Sequence, residues 1–308
     1  MIDSFKTIKK YLHNKDNAFT IFLFHGVIKK KKFQIRNYNN KHLKIEKFKR
    51  ILEYLKKEGY STNFDDLVNK IKNKKKFKPK TFLISFDDGF YNNFKNACPI
   101  LEKLKIPAIF FYSTDFIENN SLSWIDTIEY LFEKTKKKEV YVEEFNKTFK
   151  IKNKASKIKL LDLIRLKVKK NFKINIDDFL TQISKNLKIK IPKHLNTEID
   201  KKLNWHEVKK MINNDLFTIG GHSHFHHSLG YLKKNKIYKS QIKKSINLFK
   251  NRIGHKLKYY SYPEGQKIDF DRSIINELKR YKIVSCPTAI AGYNKANQNL
   301  FKLYRVQL

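Results

Sequence analysis

Apolar residues in this chain fall in short runs that end in polar or glycine positions, and between the runs they recur at three- and four-residue spacing. The runs at 19–24, 81–86, 108–112, 217–219, 258–262 and 282–285 are rich in Ile, Phe, Tyr and Val, the composition of strands buried on both faces. The segments 45–57 (IEKFKRILEYLKK), 93–104 and 235–249 carry the helical period. This alternation predicts parallel β/α units, arranged as a β/α barrel or as a doubly wound sheet.

From about residue 123 to 204 the texture changes. EVYVEEFNKTFKIK predicts a short hairpin, KASKIKLLDLIRLKVKKNFK and IDDFLTQISKNLK predict helices, and no histidine lies between 122 and 191. The expectation is one domain over 1–308, with a helical and hairpin subdomain inserted at about 124–204. Lysine-rich stretches at 29–32 and 72–80 read as solvated loops or helix ends.

Composition refines this picture. The chain has 308 residues, with 67 Lys plus Arg against 29 Asp plus Glu, a formal charge of +38. Hydrophobic residues at 41% and aromatic residues at 14% put that charge on a folded protein, not on an expanded chain. Only seven basic residues are arginine, and Asn and Ile are abundant as well. Adenine- and thymine-rich codons produce that balance, whereas base-reading surfaces favour arginine forks. The remaining long-range field attracts polyanions without selecting among them. Cys98 and Cys286 are too few for a disulfide framework or a thiolate zinc site. The first twenty residues scatter Lys and Asp through every apolar stretch, so the expectation is a soluble, cytoplasmic protein.

Reactive residues cluster where predicted strands end. His25 follows IFLF, Asp87 and Asp88 follow TFLISF, His222 follows FTIGG, and Pro263 to Gly265 follow YYSY. Polar groups at the carboxyl ends of several strands form the ligand side of barrels and open α/β sheets alike. In GGHSHFHHSLGYL, His222 and His226 are four apart, which on a first helical turn would aim both at one divalent ion. SFDDGF adds a carboxylate; successive strand side chains point to opposite faces, so of Asp87 and Asp88 one can bind metal while the other stays free. Two imidazoles and a carboxylate suit zinc, iron, cobalt or manganese with positions left open. Adjacent carboxylates argue against a glycosidase pair, which must flank the scissile bond. Phosphate loops, Rossmann glycines and a GxSxG elbow are lacking, which disfavours nucleotide binding and serine hydrolysis.

These residues resemble the motifs of the polysaccharide deacetylase family, the NodB-homology or carbohydrate esterase 4 domain. Ser85-Phe86-Asp87-Asp88-Gly89 is similar to its TFDDG motif and His222-Ser223-His224-Phe225-His226 to its H-(S/T)-x-x-H motif. Ser261-Tyr262-Pro263-Glu264-Gly265 stands at its third motif, with Ser261 where arginine is usual. Phe24-His25-Gly26-Val27 resembles the strand that carries the catalytic histidine in the permuted branch, and LSWIDTIEYLF the tryptophan-aspartate element of members linked to surface polysaccharides.

The resemblance implies a distorted (β/α) barrel with a helical insertion and one divalent ion, zinc first, with cobalt, manganese, iron or nickel as alternatives. Asp88, His222 and His226 would hold it, Asp87 would be the general base and His25 the general acid. Pro263 and Glu264 would lie at the substrate and oxyanion side, and Arg305 is the candidate to stand in for the missing arginine. The implied reaction is removal of acetyl groups from N-acetylated sugars of a bacterial surface polysaccharide or its lipid-linked precursor. The expected partners are an N-acetylated glycan and an anionic membrane surface, the latter at the inner face of the membrane, with no specific nucleic acid. Competing expectations are a metal amidohydrolase on a small amide or imide, and a catalytically silent basic module for nucleic acid.

Overall fold

The computed structural model describes residues 4–13, 17–29, 33–233 and 235–308. The last three residues of the lysine-rich stretch 29–32 and part of the N-terminal twenty lie outside the described residues. Four strands form the centre in chain order: β1 (Ala18–Phe24), β2 (Thr81–Phe86), β3 (Ala108–Tyr112) and β4 (Phe217–Gly221). All are parallel and adjacent, with Phe24 opposite Phe86, Phe86 opposite Phe110, and Tyr112 opposite Gly221. Two short strands flank β1, β5 (Asn294–Lys295) antiparallel at its start and β6 (Val306–Gln307) parallel at its end.

The apolar runs are continuous because both faces of the sheet are covered. Phe22, Phe24, Ile84, Phe86 and Phe110 pack into one cluster with Phe48, Ile51 and Leu55 of the helix Ile45–Glu58. Their neighbours Phe19, Ile21, Leu83, Ile109 and Phe111 pack into another with Phe64 and Leu67, as the two-residue period of a strand requires.

The sheet is an open path, β5-β1-β2-β3-β4, and no closed sheet is seen among the described residues. Beyond β4 the expected strands at 258–262 and 282–285 reduce to single bridges, Gly221 with Tyr260 and Tyr259 with Ser285. Each run is soon interrupted by proline, at Pro263 and Pro287, which ends ladder pairing.

Residues 124–187 gather around an apolar cluster of their own. Its elements are α1 (Trp124–Lys134), the hairpin Glu139–Val142 with Lys147–Lys150, α2 (Lys154–Lys170) and α3 (Ile176–Leu187). Ser123, Asn153 and Asn175 start the three helices by accepting backbone N–H groups. The loop after β1 ties this body to the sheet. Ile35 and Arg36 N–H groups donate to Glu133, Asn37 N–H donates to Glu129, and Arg36 pairs with Asp200.

Phe86 is fully buried, with ring centroids of Phe110 at 4.9 Å, Phe24 at 5.5 Å and Phe48 at 5.9 Å. Phe86→Ala is expected to lower unfolding free energy by about 3–5 kcal/mol in denaturant titration. A loss below about 1 kcal/mol would mean the neighbours refill the site.

Candidate active site

Because β1 to β4 run parallel, their carboxyl ends meet on one edge, and the polar residues that follow them fall out together. The hollow there has a volume of about 320 Å³ and is lined by His25, Lys41, Asp87, Asp88, Arg165, Lys169, His222, His226 and Glu264, among others. A larger hollow, about 850 Å³, opens beside Lys267, Arg272 and Lys302, but Asp271 is its one carboxylate and it has no histidine. The reactive groups therefore converge in the smaller one.

Asp87 extends β2 by one hydrogen bond, its N–H donating to the Phe24 carbonyl at 3.1 Å. The chain then turns left-handed, with φ of 79° at Asp88 and 102° at Gly89. The backbone conformation calls for glycine here, and a Cβ at Gly89 would also lie 2.9 Å from Ile117 Cδ1, the movable end of a side chain. The turn cancels the strand alternation that would send the two carboxylates to opposite faces. Both enter the hollow, each from its own side.

His222 and His226 do not share a helical turn, contrary to the spacing argument. Ser223 and His226 have φ of 62° and 59°, and the His226 N–H donates to Ser223 Oγ at 3.0 Å, so a side-chain turn replaces the helix. The two rings nevertheless come within 4.9 Å between centroids. One donor atom each from Asp88, His222 and His226 lies within 4.8 Å of the others.

These three residues could hold a metal ion, and their surroundings fit one. His222 Nδ1 lies 2.9 Å from the Ser261 carbonyl, which can only accept, so Nδ1 carries the proton and Nε2 offers its lone pair. Burial pushes the His222 pKa down to about 4, which keeps that ring neutral. Nε2 faces Asp88 Oδ1 at 3.7 Å and Asp87 Oδ2 at 3.8 Å. Asp88 Oδ1 is buried and makes no well-formed hydrogen bond, its nearest contact being His226 Nε2 at 2.9 Å. A buried, under-satisfied carboxylate oxygen beside two imidazoles has the donor chemistry that could hold a divalent cation.

Asp87 is gripped by Arg305 through two hydrogen bonds of 2.7 Å, one to each carboxylate oxygen. Arg305 is itself buried; its Nε donates to the Thr288 carbonyl at 2.6 Å and its second amino group to Ser261 Oγ at 2.8 Å. Serine at 261 leaves room for a guanidinium arriving from the last segment of the chain. Burial raises the Asp87 pKa, but the charge of Arg305 and its hydrogen bonds outweigh it and hold the carboxyl below its ordinary value. Burial likewise opposes ionisation of Asp88, and Lys41 with His226 more than offsets it.

His25 lines the hollow with Nδ1 buried and unpartnered, and burial is the main reason its pKa is lowered. Glu264 also reaches it, from a turn with φ of 62°, and pairs with Lys169 Nζ at 2.5 Å. Pro263 does not line it. Its side chain is buried and its carbonyl accepts the Gly265 N–H at 2.7 Å, so it shapes the turn that presents Glu264.

Sequence reasoning passed over Lys41, Arg165 and Lys169. Lys41 Nζ lies 2.9 Å from Asp88 Oδ2, and Arg165 and Lys169 reach in from α2. Nothing local marks them, because each is defined by a partner far away in sequence. Trp124 borders an apolar cleft next to Glu264, and Trp205 Nε1 donates to Glu118 at 2.6 Å.

The model of the polysaccharide deacetylase family matches residues 74–162 and 174–285. The chain belongs to that family. The segments Ser85–Gly89 and His222–His226 lie inside the matched stretches, whereas His25, Lys41 and Arg305 lie outside them and reach the site only through the fold. Among solved structures, the Streptococcus pyogenes deacetylase PplD in complex with acetate is 13% identical, with 96% of this chain and 93% of that chain covered at a TM-score of 0.60. IcaB from Ammonifex degensii is 14% identical, with 95% and 92% covered at 0.61. The BpsB deacetylase domain from Bordetella bronchiseptica is 13% identical, with 96% and 98% covered at 0.55. At such identities the likeness establishes a shared deacetylase fold. No curated protein sequence gives a significant match to the chain.

Arg305→Met would leave the Asp87 charge buried without its partner, and a loss of about 3–5 kcal/mol in unfolding free energy is expected at pH 7. In the wild type the stabilisation from Asp87 is present above its ordinary pKa and is lost as pH falls through the lowered folded value. In the variant, burial alone raises that pKa, so the deficit should narrow as acid protonates Asp87. Denaturant titrations at neutral and mildly acidic pH test this; an unchanged deficit would place the effect in packing.

Proposed function

We propose that this protein is a metal-dependent N-deacetylase that removes acetyl groups from N-acetylated sugars of a bacterial surface polysaccharide or its lipid-linked precursor. The observation that carries the reading is the convergence of Asp88, His222 and His226 donors beside a second carboxylate locked by arginine. Membership in the polysaccharide deacetylase family supports the reaction class.

Asp88, His222 and His226 would hold the cation, zinc in the first instance. When bound, it would supply Lewis acidity toward the acetamide carbonyl and the attacking water. Asp87 acts as the base. Arg305 fixes both its oxygens and Oδ2 faces the His222 side of the hollow, so one lone pair on that oxygen remains to accept a proton from water. Arginine pairing holds the carboxyl below its ordinary pKa and so favours the ionised form at neutral pH, at some expense of basicity. His25 donates to the amide nitrogen as the carbon–nitrogen bond breaks. Burial lowers its pKa, so near neutral pH the ring is mostly uncharged and the donating species is its minority imidazolium, a stronger acid than an ordinary one. The turn at Pro263 and Glu264 would border the carbonyl oxygen of the substrate.

The +38 charge supports a placement at an anionic surface, proposed here as the inner face of the cytoplasmic membrane. Both cysteines are buried and unpaired, which fits a reducing compartment.

The decisive experiment is metal content by elemental analysis, together with acetate release from N-acetylglucosamine oligomers and from extracted surface glycan. The wild type should hold near one metal per chain, and His222→Ala should lose it. Asp87→Asn should keep the metal and lose roughly 10²–10⁴-fold in turnover. A wild type without metal that releases no acetate when zinc, cobalt or manganese is supplied would sink the reading.

A further inference from the structure

The Asp88 carboxylate is divided between two neighbourhoods. Oδ1 faces His226 Nε2 at 2.9 Å and His222 Nε2 at 3.7 Å. Oδ2 is taken by Lys41 Nζ at 2.9 Å. That ammonium is mostly buried, 13% exposed, and is also held from behind: Asp126 Oδ1 on α1 is 3.5 Å away and the Phe90 ring centre 4.7 Å. The far side of the arrangement is built as well. Lys202 Nζ sits on the same Phe90 ring at 3.9 Å and on Asp126 Oδ2 at 3.7 Å, and donates to the Asp200 carbonyl at 3.1 Å. Asp126 accepts from Ser123 Oγ at 2.8 Å at the start of α1. Charges therefore alternate inward from Lys202 through Asp126 and Lys41 to Asp88, with every member largely removed from water.

We propose that Lys41, held by Asp126, is a positioning residue of the cation site, which occupies Asp88 Oδ2 so that Oδ1 alone is presented with His222 and His226. The inference rests on the metal reading of that donor set. Its physical content is a charge effect with a definite sign. An ammonium on the outer oxygen draws negative charge from the donor and repels a dication, so it holds the site to one carboxylate oxygen and to a weaker, more Lewis-acidic binding mode. Asp126 acts oppositely, because its charge partly cancels that of Lys41. The first helix of the 124–187 body thereby becomes part of the site's electrostatics.

The test is Zn²⁺ affinity of the full-length protein by competition with a chromophoric chelator at fixed pH and low salt. Wild type, Lys41→Met, Lys41→Arg and Asp126→Asn are compared, and each variant's unfolding transition is recorded without metal. Lys41→Met should bind Zn²⁺ roughly tenfold or more tightly, and Asp126→Asn roughly tenfold more weakly. Lys41→Arg, which keeps the charge, should stay within about threefold of wild type. A merely structural role would loosen the site in both Lys41→Met and Asp126→Asn. Weaker or unchanged binding by folded Lys41→Met would overturn the proposal. If Lys41→Met does not fold, Lys41→Gln takes its place with the same expected tightening, and weaker or unchanged Zn²⁺ binding by that folded variant would overturn the proposal. A wild type that binds no Zn²⁺ would overturn the cation site itself, a failure distinct from any ordering among the variants.

Discussion

Two adjacent carboxylates driven into the interior at the end of one strand are the constraint from which the rest of the structure follows. Asp87 and Asp88 are both nearly inaccessible to water, and an uncompensated buried charge costs several kcal/mol. Each is answered by a cation from a remote part of the chain, Arg305 for Asp87 and Lys41 for Asp88. The two pairings differ in consequence. Arg305 occupies both oxygens of Asp87 and fixes its plane, whereas Lys41 occupies one oxygen of Asp88 and leaves the other to the histidines. One strand end thus yields a rigidly oriented carboxylate beside one with an oxygen to spare.

Compensation does not stop at the first cation. Lys41 needs Asp126, Asp126 needs Lys202, and nearby Arg36 pairs with Asp200 while Glu129 meets Arg165. Burial and the Asp126 charge raise the Glu129 pKa to about 7, while burial lowers that of Lys202 to about 8. This network joins the helices of residues 124–187 to the strand ends. Arg165 and Lys169 on α2 extend the same body to the opposite wall, where Lys169 pairs with Glu264. The segment that interrupts the β/α pattern therefore bears directly on the hollow.

Backbone conformation makes the convergence possible. Asp88, Ser223, His226 and Glu264 are all in the left-handed region, with φ of 79°, 62°, 59° and 62°. Such residues cost free energy individually and persist where surrounding contacts over-determine them. Here those contacts include the close approach at Gly89, the Ser223 side-chain turn and the closure at Pro263. In each case the strained residue delivers a side chain that a regular strand or helix would have pointed elsewhere.

Much of this was legible in the chain alone. Continuous apolar runs ending in polar residues specify parallel strands covered on both faces, because only such strands have no solvent side. The motifs SFDDG and HSHFH marked the candidate donors by residue type at neighbouring strand ends, and the family resemblance, not spacing, singled out Asp88 from Asp87. The tertiary structure decided the rest. A left-handed Asp88 put both carboxylates into one hollow, a loop and not a helix paired His222 with His226, and single bridges replaced two expected strands. It alone selected Lys41 from a crowd of lysines, and it set Arg305, already the candidate to replace the missing motif arginine, against both oxygens of Asp87. Local pattern is set by the period of the backbone and can be read along the chain, but the partner of a buried charge is whichever opposite charge the packing brings within reach.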